Sequence, residues 1–141
     1  MATYTKFLDY VEQLNKAVHN WSSHTIKAAL TNTAPVNTNT VFANLTEISA
    51  GNGYSAGGMT LDTVTLSETS GTAKVTIADE VLTASGGSIG PLRYVSIYND
   101  TPTSPADPLV AFYDYGSSIT LAAGESFTVD FDATNGLWQL A

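Results

Sequence analysis

Near the start of the chain, Phe7, Tyr10, Val11, Leu14, Ala17, Val18 and Trp21 recur at three- and four-residue steps and form one apolar stripe. Lys6, Asp9, Gln13, Asn15 and Lys16 fall mainly off that stripe. Thr3 or Thr5 offers an N-cap oxygen, and Asn20 followed by Ser22 and Ser23 supplies a stop. The spacing predicts a helix from about Thr5 to His19, within an N-terminal unit over residues 1–22.

Over residues 23–141 the period changes to two. Ile26, Ala28 and Leu30 share a face, as do Ala73, Val75 and Ile77, with Lys74 and Thr76 opposite. Met59 to Glu68 is rich in threonine and valine. Arg93 to Asn99 alternates Val95 and Ile97 against Tyr94, Ser96 and Tyr98, and Leu109 to Tyr115 follows. Ser126 to Phe131 sets Phe127, Val129 and Phe131 on one side. Asn135-Gly136 is a strong hairpin signal, with Leu137 to Leu140 as the returning strand. Turn-forming stretches separate these runs at Ala34-Pro35, Gly51 to Gly58, Ser85 to Pro91 and Thr101 to Pro108. Seven or eight short strands behind one helix predict a mainly β domain. The expected form is an antiparallel β-sandwich or barrel, jelly-roll-like, with one N-terminal α-helix.

Composition supports a chain that folds on its own core. Of 141 residues, 43% are hydrophobic and only 13% charged, so an ordinary apolar content excludes wholesale disorder. Cysteine is absent, which removes disulfides, thiolate ligands and thiol nucleophiles together. No apolar run approaches the ~20 residues of a bilayer span. Lys6, Asp9, Glu12 and Lys16 interrupt the region a secretory leader would occupy, so neither a span nor a leader is expected.

The net charge is −8, distributed unevenly: residues 1–28 carry +1 and the remainder −9. No basic footprint for phosphates is present, so direct nucleic-acid binding and attachment to anionic membranes are not expected. Two readings of the acidity stay open: a solvated surface, or contact with a basic patch on a larger partner.

Candidate chemistry is sparse. His19 and His24 flank the helix-to-strand junction without a serine or carboxylate spacing that makes a triad, and His19 reads as a side chain at the helix end. Gly51 to Gly58 superficially resembles a phosphate-cradling loop. It lacks a following helix and a closing lysine, so a turn, or a loop ordering against a neighbour, is expected. Asp130, Asp132 and Asn135 fail as a calcium loop, because Thr134 stands at a ligand position and no bidentate glutamate follows. Both aspartates read as the wet side of a strand. Tyr94, Tyr98, Tyr113 and Tyr115, with Trp21 and Trp138, fit a core, an interface or a sugar-stacking platform, Tyr94 and Tyr98 sharing a strand face. No catalytic residue, metal ligand or cofactor-binding residue is assigned, and the sequons at Asn20, Asn44 and Asn99 carry no meaning without secretion.

Several phrases resemble those of small virion structural proteins of tailed bacteriophages. They are Lys27 to Pro35 (KAALTNTAP), Leu45 to Tyr54 (LTEISAGNGY), Ala84 to Pro91 (ASGGSIGP), Arg93 to Asp100 (RYVSIYND), Asp114 to Leu121 (DYGSSITL) and Phe127 to Gly136 (FTVDFDATNG). The resemblance extends over nearly the whole chain. It implies a capsid cement (decoration) protein, made in the host cytoplasm and carried on the exterior of the virion. Such a protein binds the outer face of the assembled head, bridges neighbouring copies of the major capsid protein, and performs no catalysis. Self-association is expected, as a trimer in preference to a dimer. The charge split and isolated helix make Tyr4, Phe7 and Tyr10 candidate contact residues, joined by the Tyr94/Tyr98 face. The rival expectation is a tail- or fibre-associated module recognising host surface glycan through Tyr94 and Tyr98.

Overall fold

The computed structural model describes residues 2–141. Its elements are β1 (Thr3–Lys6), α1 (Tyr10–Asn15), β2 (Ile26–Thr31), a 3-10 turn (Phe42–Asn44), β3 (Met59–Thr60) and β4 (Thr65–Thr69). There follow β5 (Thr72–Thr76), β6 (Glu80–Thr83), β7 (Ile89–Asn99), β8 (Leu109–Leu121), β9 (Ser126–Val129) and β10 (Trp138–Leu140). The fold is mainly β, with antiparallel pairing throughout and a single α-helix. Strands β1-β8-β7-β2-β3 form one sheet, β10-β5-β4 a second and β6-β9 a third. No sheet closes into a barrel, so the barrel alternative is corrected.

Burial on both sides of the large sheet organises the molecule. Along β7, Val95 and Ile97 enter the main core, while Tyr94 and Tyr98 enter a separate cluster with Phe7, Ala29, Leu109 and Phe112. The main core draws on all three sheets: Ala28, Leu30 and Val110 from the first, Val75 from the second, Leu82, Phe127 and Val129 from the third. On the opposite face, Phe42 and Leu45 from the loop after β2 cover the second cluster. Alternation along β7 therefore sorts residues between two dry compartments rather than between core and water.

The N-terminal region departs most from expectation. Thr3 to Lys6 pair with Asp114 to Ala111 as an edge strand, and the helix spans only Tyr10 to Asn15 instead of Thr5 to His19. The β-branched alternation of Thr3, Tyr4 and Thr5 suits a strand. The helix ends because Ala17 adopts the left-handed region at φ 61°. Ala17 N–H then donates to Leu14 O at 3.1 Å and Val18 N–H to Gln13 O at 3.0 Å, the bonding of a Schellman stop. Alanine rather than the usual glycine holds that position, which leaves the stop without a sequence signal. Within residues 2–22, Phe7 and Tyr10 are fully or almost fully buried in the body, and Trp21 Nε1–H donates to the Tyr10 hydroxyl at 3.0 Å.

Two further expectations change. Strand β10 pairs with β5 rather than turning back on β9, and in the turn before it Asp132 accepts from Thr134 N–H and Asn135 N–H at 2.8 and 2.9 Å. The tight two-residue hairpin lies instead between β4 and β5, where Ser70 and Gly71 take φ 51° and 84° as a type I′ turn requires. Neither β1 nor β6 was expected; β6 has a single buried residue, Leu82, and so shows no apolar run.

The glycine-rich stretch is fixed against the body. Tyr54 is buried; its hydroxyl accepts from Leu30 N–H at 2.9 Å and donates to Glu47 Oε1 at 2.7 Å, which also accepts from Gly57 N–H at 2.8 Å. Gly58, at φ 88°, sits so close to β2 that a Cβ there would lie 2.2 Å from Ala28 O. Gly58→Ala combines an unfavourable backbone conformation, worth roughly 1–3 kcal/mol, with that clash. A lowered urea midpoint with an unchanged m-value is the expected result, measured by denaturation.

Candidate functional site

One concave surface lies beside the start of β1, between β8 and β9, with Ala2 among its lining residues. Thr3, the first residue of β1, pairs with Asp114, whereas β8 continues to Leu121. Past Asp114, among the described residues, that edge of β8 has no partner strand. Tyr113 and Tyr115, two apart on β8, point toward Phe131 and Phe127, with ring centroids 6.2 and 5.7 Å apart in edge-on contacts. The space between β8 and β9 is a groove of about 530 Å³ with Val95 and Val129 at its floor and Asp130 and Asp132 at its rim. Tyr115 is 48% exposed.

Among the described lining residues the charged side chains are Asp130 and Asp132, with Lys74 acting on Asp132 from nearby. The Asp132 carboxylate is held below its usual range, first by the Asn135 side-chain amide and then by the backbone N–H groups of Asn135 and Thr134. The nearby Tyr113 phenol is pushed up by burial, with Tyr4 and Asp132 adding to the effect. Lys74 Nζ donates to Thr134 O at 2.9 Å.

The residues expected from sequence scatter. Phe7, Tyr94 and Tyr98 do come together, but inside the second cluster. Phe42 stacks on Tyr98 at 4.6 Å and 15°, and the Tyr98 hydroxyl donates to Gly57 O. Tyr94 is 9% exposed and Tyr98 1%, so the Tyr94/Tyr98 face is corrected from a contact or sugar-stacking surface to packing. Tyr10 lies in the main core. Tyr4 alone keeps an outward surface, 40% exposed and edge-on against Tyr113 at 5.4 Å. Apolar groups reaching solvent in this segment are instead Leu8 and Val11. Of the groove residues, Tyr113 and Tyr115 carried a sequence signal as aromatics; their apposition to β9 carried none.

A second cavity, of about 410 Å³, is lined by the glycine-rich stretch, β3 and β6. Its cation, Lys27, is paired with Asp100 at 2.9 Å. Asp130 and Asp132 are exposed, as expected of a wet strand side leading into a turn. Among the described residues, no three His, Asp or Glu side chains converge as a metal site. No described helix is long and apolar enough to cross a membrane.

The histidines form an unexpected buried arrangement. Asn99 is fully buried, and its side-chain amide contacts His19 Nδ1 at 3.2 Å and His24 Nδ1 at 3.0 Å. One amide nitrogen carries two hydrogens, so it can donate to both rings when both are neutral. His19, four residues beyond the helix, stacks on Trp21 and is 7% exposed, which corrects its placement at a helix terminus. Burial, and secondarily the charge of His24, lowers its pKa to about 4.

Comparison of the chain with protein-family models, curated proteins and solved structures gives no match.

Because His19 is neutral when folded and binds a proton more readily when unfolded, its contribution is complete above about pH 6.5. It declines as pH falls toward the folded-state value of about 4. Urea midpoints measured between those limits should fall with pH in the native protein and vary less in His19→Gln.

Proposed function

We propose that this protein is a phage head decoration, or cement, protein: a jelly-roll-like sandwich that binds the outside of the assembled shell and bridges neighbouring major capsid protein subunits. The phrase-level resemblance supplies the family. The observation that carries the reading is the two-sidedness of the N-terminal segment. Phe7 and Tyr10 anchor it in the body, while Tyr4, Leu8 and Val11 face solvent at 40, 56 and 46% exposure. Leu8 N–H donates to Asn37 O at 2.9 Å, which draws this surface beside Val36, itself 56% exposed. Grouped apolar residues on a rigid, strand-anchored segment suit a protein interface.

Bridging requires area rather than catalysis, and a standard interface of ~1,600 Å² is within reach of one face of a chain this size. Binding the assembled shell in preference to free subunits stabilises the shell by mass action. The acidic body suits the exterior of the virion, away from packaged DNA, after synthesis in the host cytoplasm. A trimer at local threefold positions is favoured over a dimer, with no nucleic-acid, membrane or cofactor partner.

Sedimentation with capsids lacking the protein tests this reading. Saturable binding at a fixed ratio to the major capsid protein, with greater heat resistance of the shells, is the expected result; absence of binding to intact, vacant shells overturns it. Because β1, Phe7 and Tyr10 belong to the folded body, point substitutions are the appropriate probes. Leu8→Asp and Val11→Asp should leave the circular dichroism spectrum unchanged and weaken shell binding by about tenfold or more.

A further inference from the structure

Strand β4 closes one side of the β10-β5-β4 sheet, and among the described residues nothing pairs with its outer edge. At five residues it is the longest edge strand of the three sheets, and every one of its side chains is exposed. Its register with β5 runs unbroken from Thr65↔Thr76 to Thr69↔Thr72. The two-residue Ser70-Gly71 turn makes Thr69–Thr72 a hydrogen-bonded pair, and alternation makes Ser67–Lys74 and Thr65–Thr76 hydrogen-bonded as well. The N–H and C=O groups of Leu66 and Glu68 therefore point away from β5. Among the described residues, no backbone group outside the strand bonds to them. Natural edges are blunted by lysine, proline or a bulge. Strand β4, Thr-Leu-Ser-Glu-Thr, has none of these, and its one charge is folded back: Glu68 Oε1 accepts from Gly71 N–H at 2.6 Å.

This edge is complementary to itself. We infer that β4 pairs antiparallel with β4 of a second copy across a two-fold axis at Ser67, joining two three-stranded sheets into one of six. Centring on Ser67 sets Leu66 against Glu68 of the second copy and Glu68 against its Leu66, so all four outward N–H groups and carbonyls of each copy's pair are used. An axis at Leu66 or at Glu68 would close only one such pair, and the latter would set two carboxylates face to face. With Ser67 on the axis no like charges stand opposite, and Thr65 meets Thr69, a favourable cross-strand pair. Leu66 lies on the face of the sheet that carries Val75 into the main core, yet is 42% exposed at its rim. Its counterpart in the second copy lies diagonally across the new ladder, within reach of an aliphatic side chain. So short a ladder buries less than the ~1,200 Å² of stable interfaces, so the association is weak and rises with concentration. The contact leaves the N-terminal surface free. It does not depend on the decoration reading, and shell binding enters neither arm of its test.

The chain has no cysteine, so a single introduced thiol reports the register. Facing Ser67 residues would form a non-hydrogen-bonded pair with Cα atoms about 4.5 Å apart, inside the range a disulfide spans. Ser67→Cys should therefore give a disulfide-linked dimer under mild oxidation. Thr69→Cys should not, because four residues of offset hold its two copies ~13 Å apart. Sedimentation velocity over a wide concentration range should show self-association of the native protein that strengthens with added salt, since each copy carries −8. Leu66→Glu, which sets a second carboxylate against Glu68, should weaken it about tenfold, and Leu66→Lys should strengthen it. These side chains are exposed, so the fold should persist; circular dichroism checks this. Three results would overturn the inference. One is a monomer at every concentration together with no disulfide from Ser67→Cys. Another is equal disulfide yield from the two cysteine variants, the mark of collision without register. The third is self-association that both Leu66 variants leave unchanged, which would put the contact on another surface.

Discussion

Eleven residues of β7 lie against thirteen of β8, and the ladder they form is dry on both faces over its central stretch. Such a ladder must be covered twice, and the rest of the chain is arranged to do so. The small sheets and helix α1 contribute to the main core against one face, while the loop carrying Phe42 and Leu45 covers the other. Irregular register between Ile89 and Tyr94, and again between Ile97 and Tyr98, marks where the ladder bends. Beyond Asp114 the outer half of β8 bulges against β7, yet Ile119 and Leu121 still reach the main core.

Strand positions were legible wherever β-branched and aromatic residues alternate, as in Arg93 to Asn99 and Ser126 to Phe131. Their environment was not. Alternation in an antiparallel strand ordinarily means one wet face, and on that assumption Tyr94 and Tyr98 read as available rings. Only the loop that stacks Phe42 on Tyr98 makes the second face dry, and that contact spans a separation along the chain that no local pattern encodes. The helix was overextended for a different reason. Phe7 and Trp21 continue its stripe because they are buried in the body, not because they are helical, and a left-handed alanine at position 17 breaks the run without a glycine. Asn135-Gly136 marked a turn correctly but not the strand that follows it, since the choice of β5 over β9 is tertiary. Within the groove, Tyr115, Phe127 and Asp130 were each visible singly, and their convergence depends on sheet placement.

The few cations are almost all engaged. Lys16 pairs with Glu12, Lys27 with Asp100 and Arg93 with Asp114, while Lys74 bonds Thr134 O. Exposed pairs of this kind contribute only ~0–1 kcal/mol each to stability. Their larger effect is on what the surface presents: positive charge is neutralised locally, and the remaining carboxylates face solvent largely unopposed. Copies of this protein therefore repel one another at long range, and close approach requires short-range apolar contact or a basic counterpart.

The β4–β5 hairpin stands apart from these demands. All five residues of β4 are exposed, its outer edge is unpaired among the described residues, and the hairpin's tip is the Ser70-Gly71 turn. Loop tips of this kind tolerate added sequence, because the strands beneath already hold the ends together. Each doubling of loop length costs only about 0.6 kcal/mol in closure entropy. The tip is thus a natural port in this molecule, a place where a foreign peptide could be displayed while the two-sided core beneath it stays unaltered.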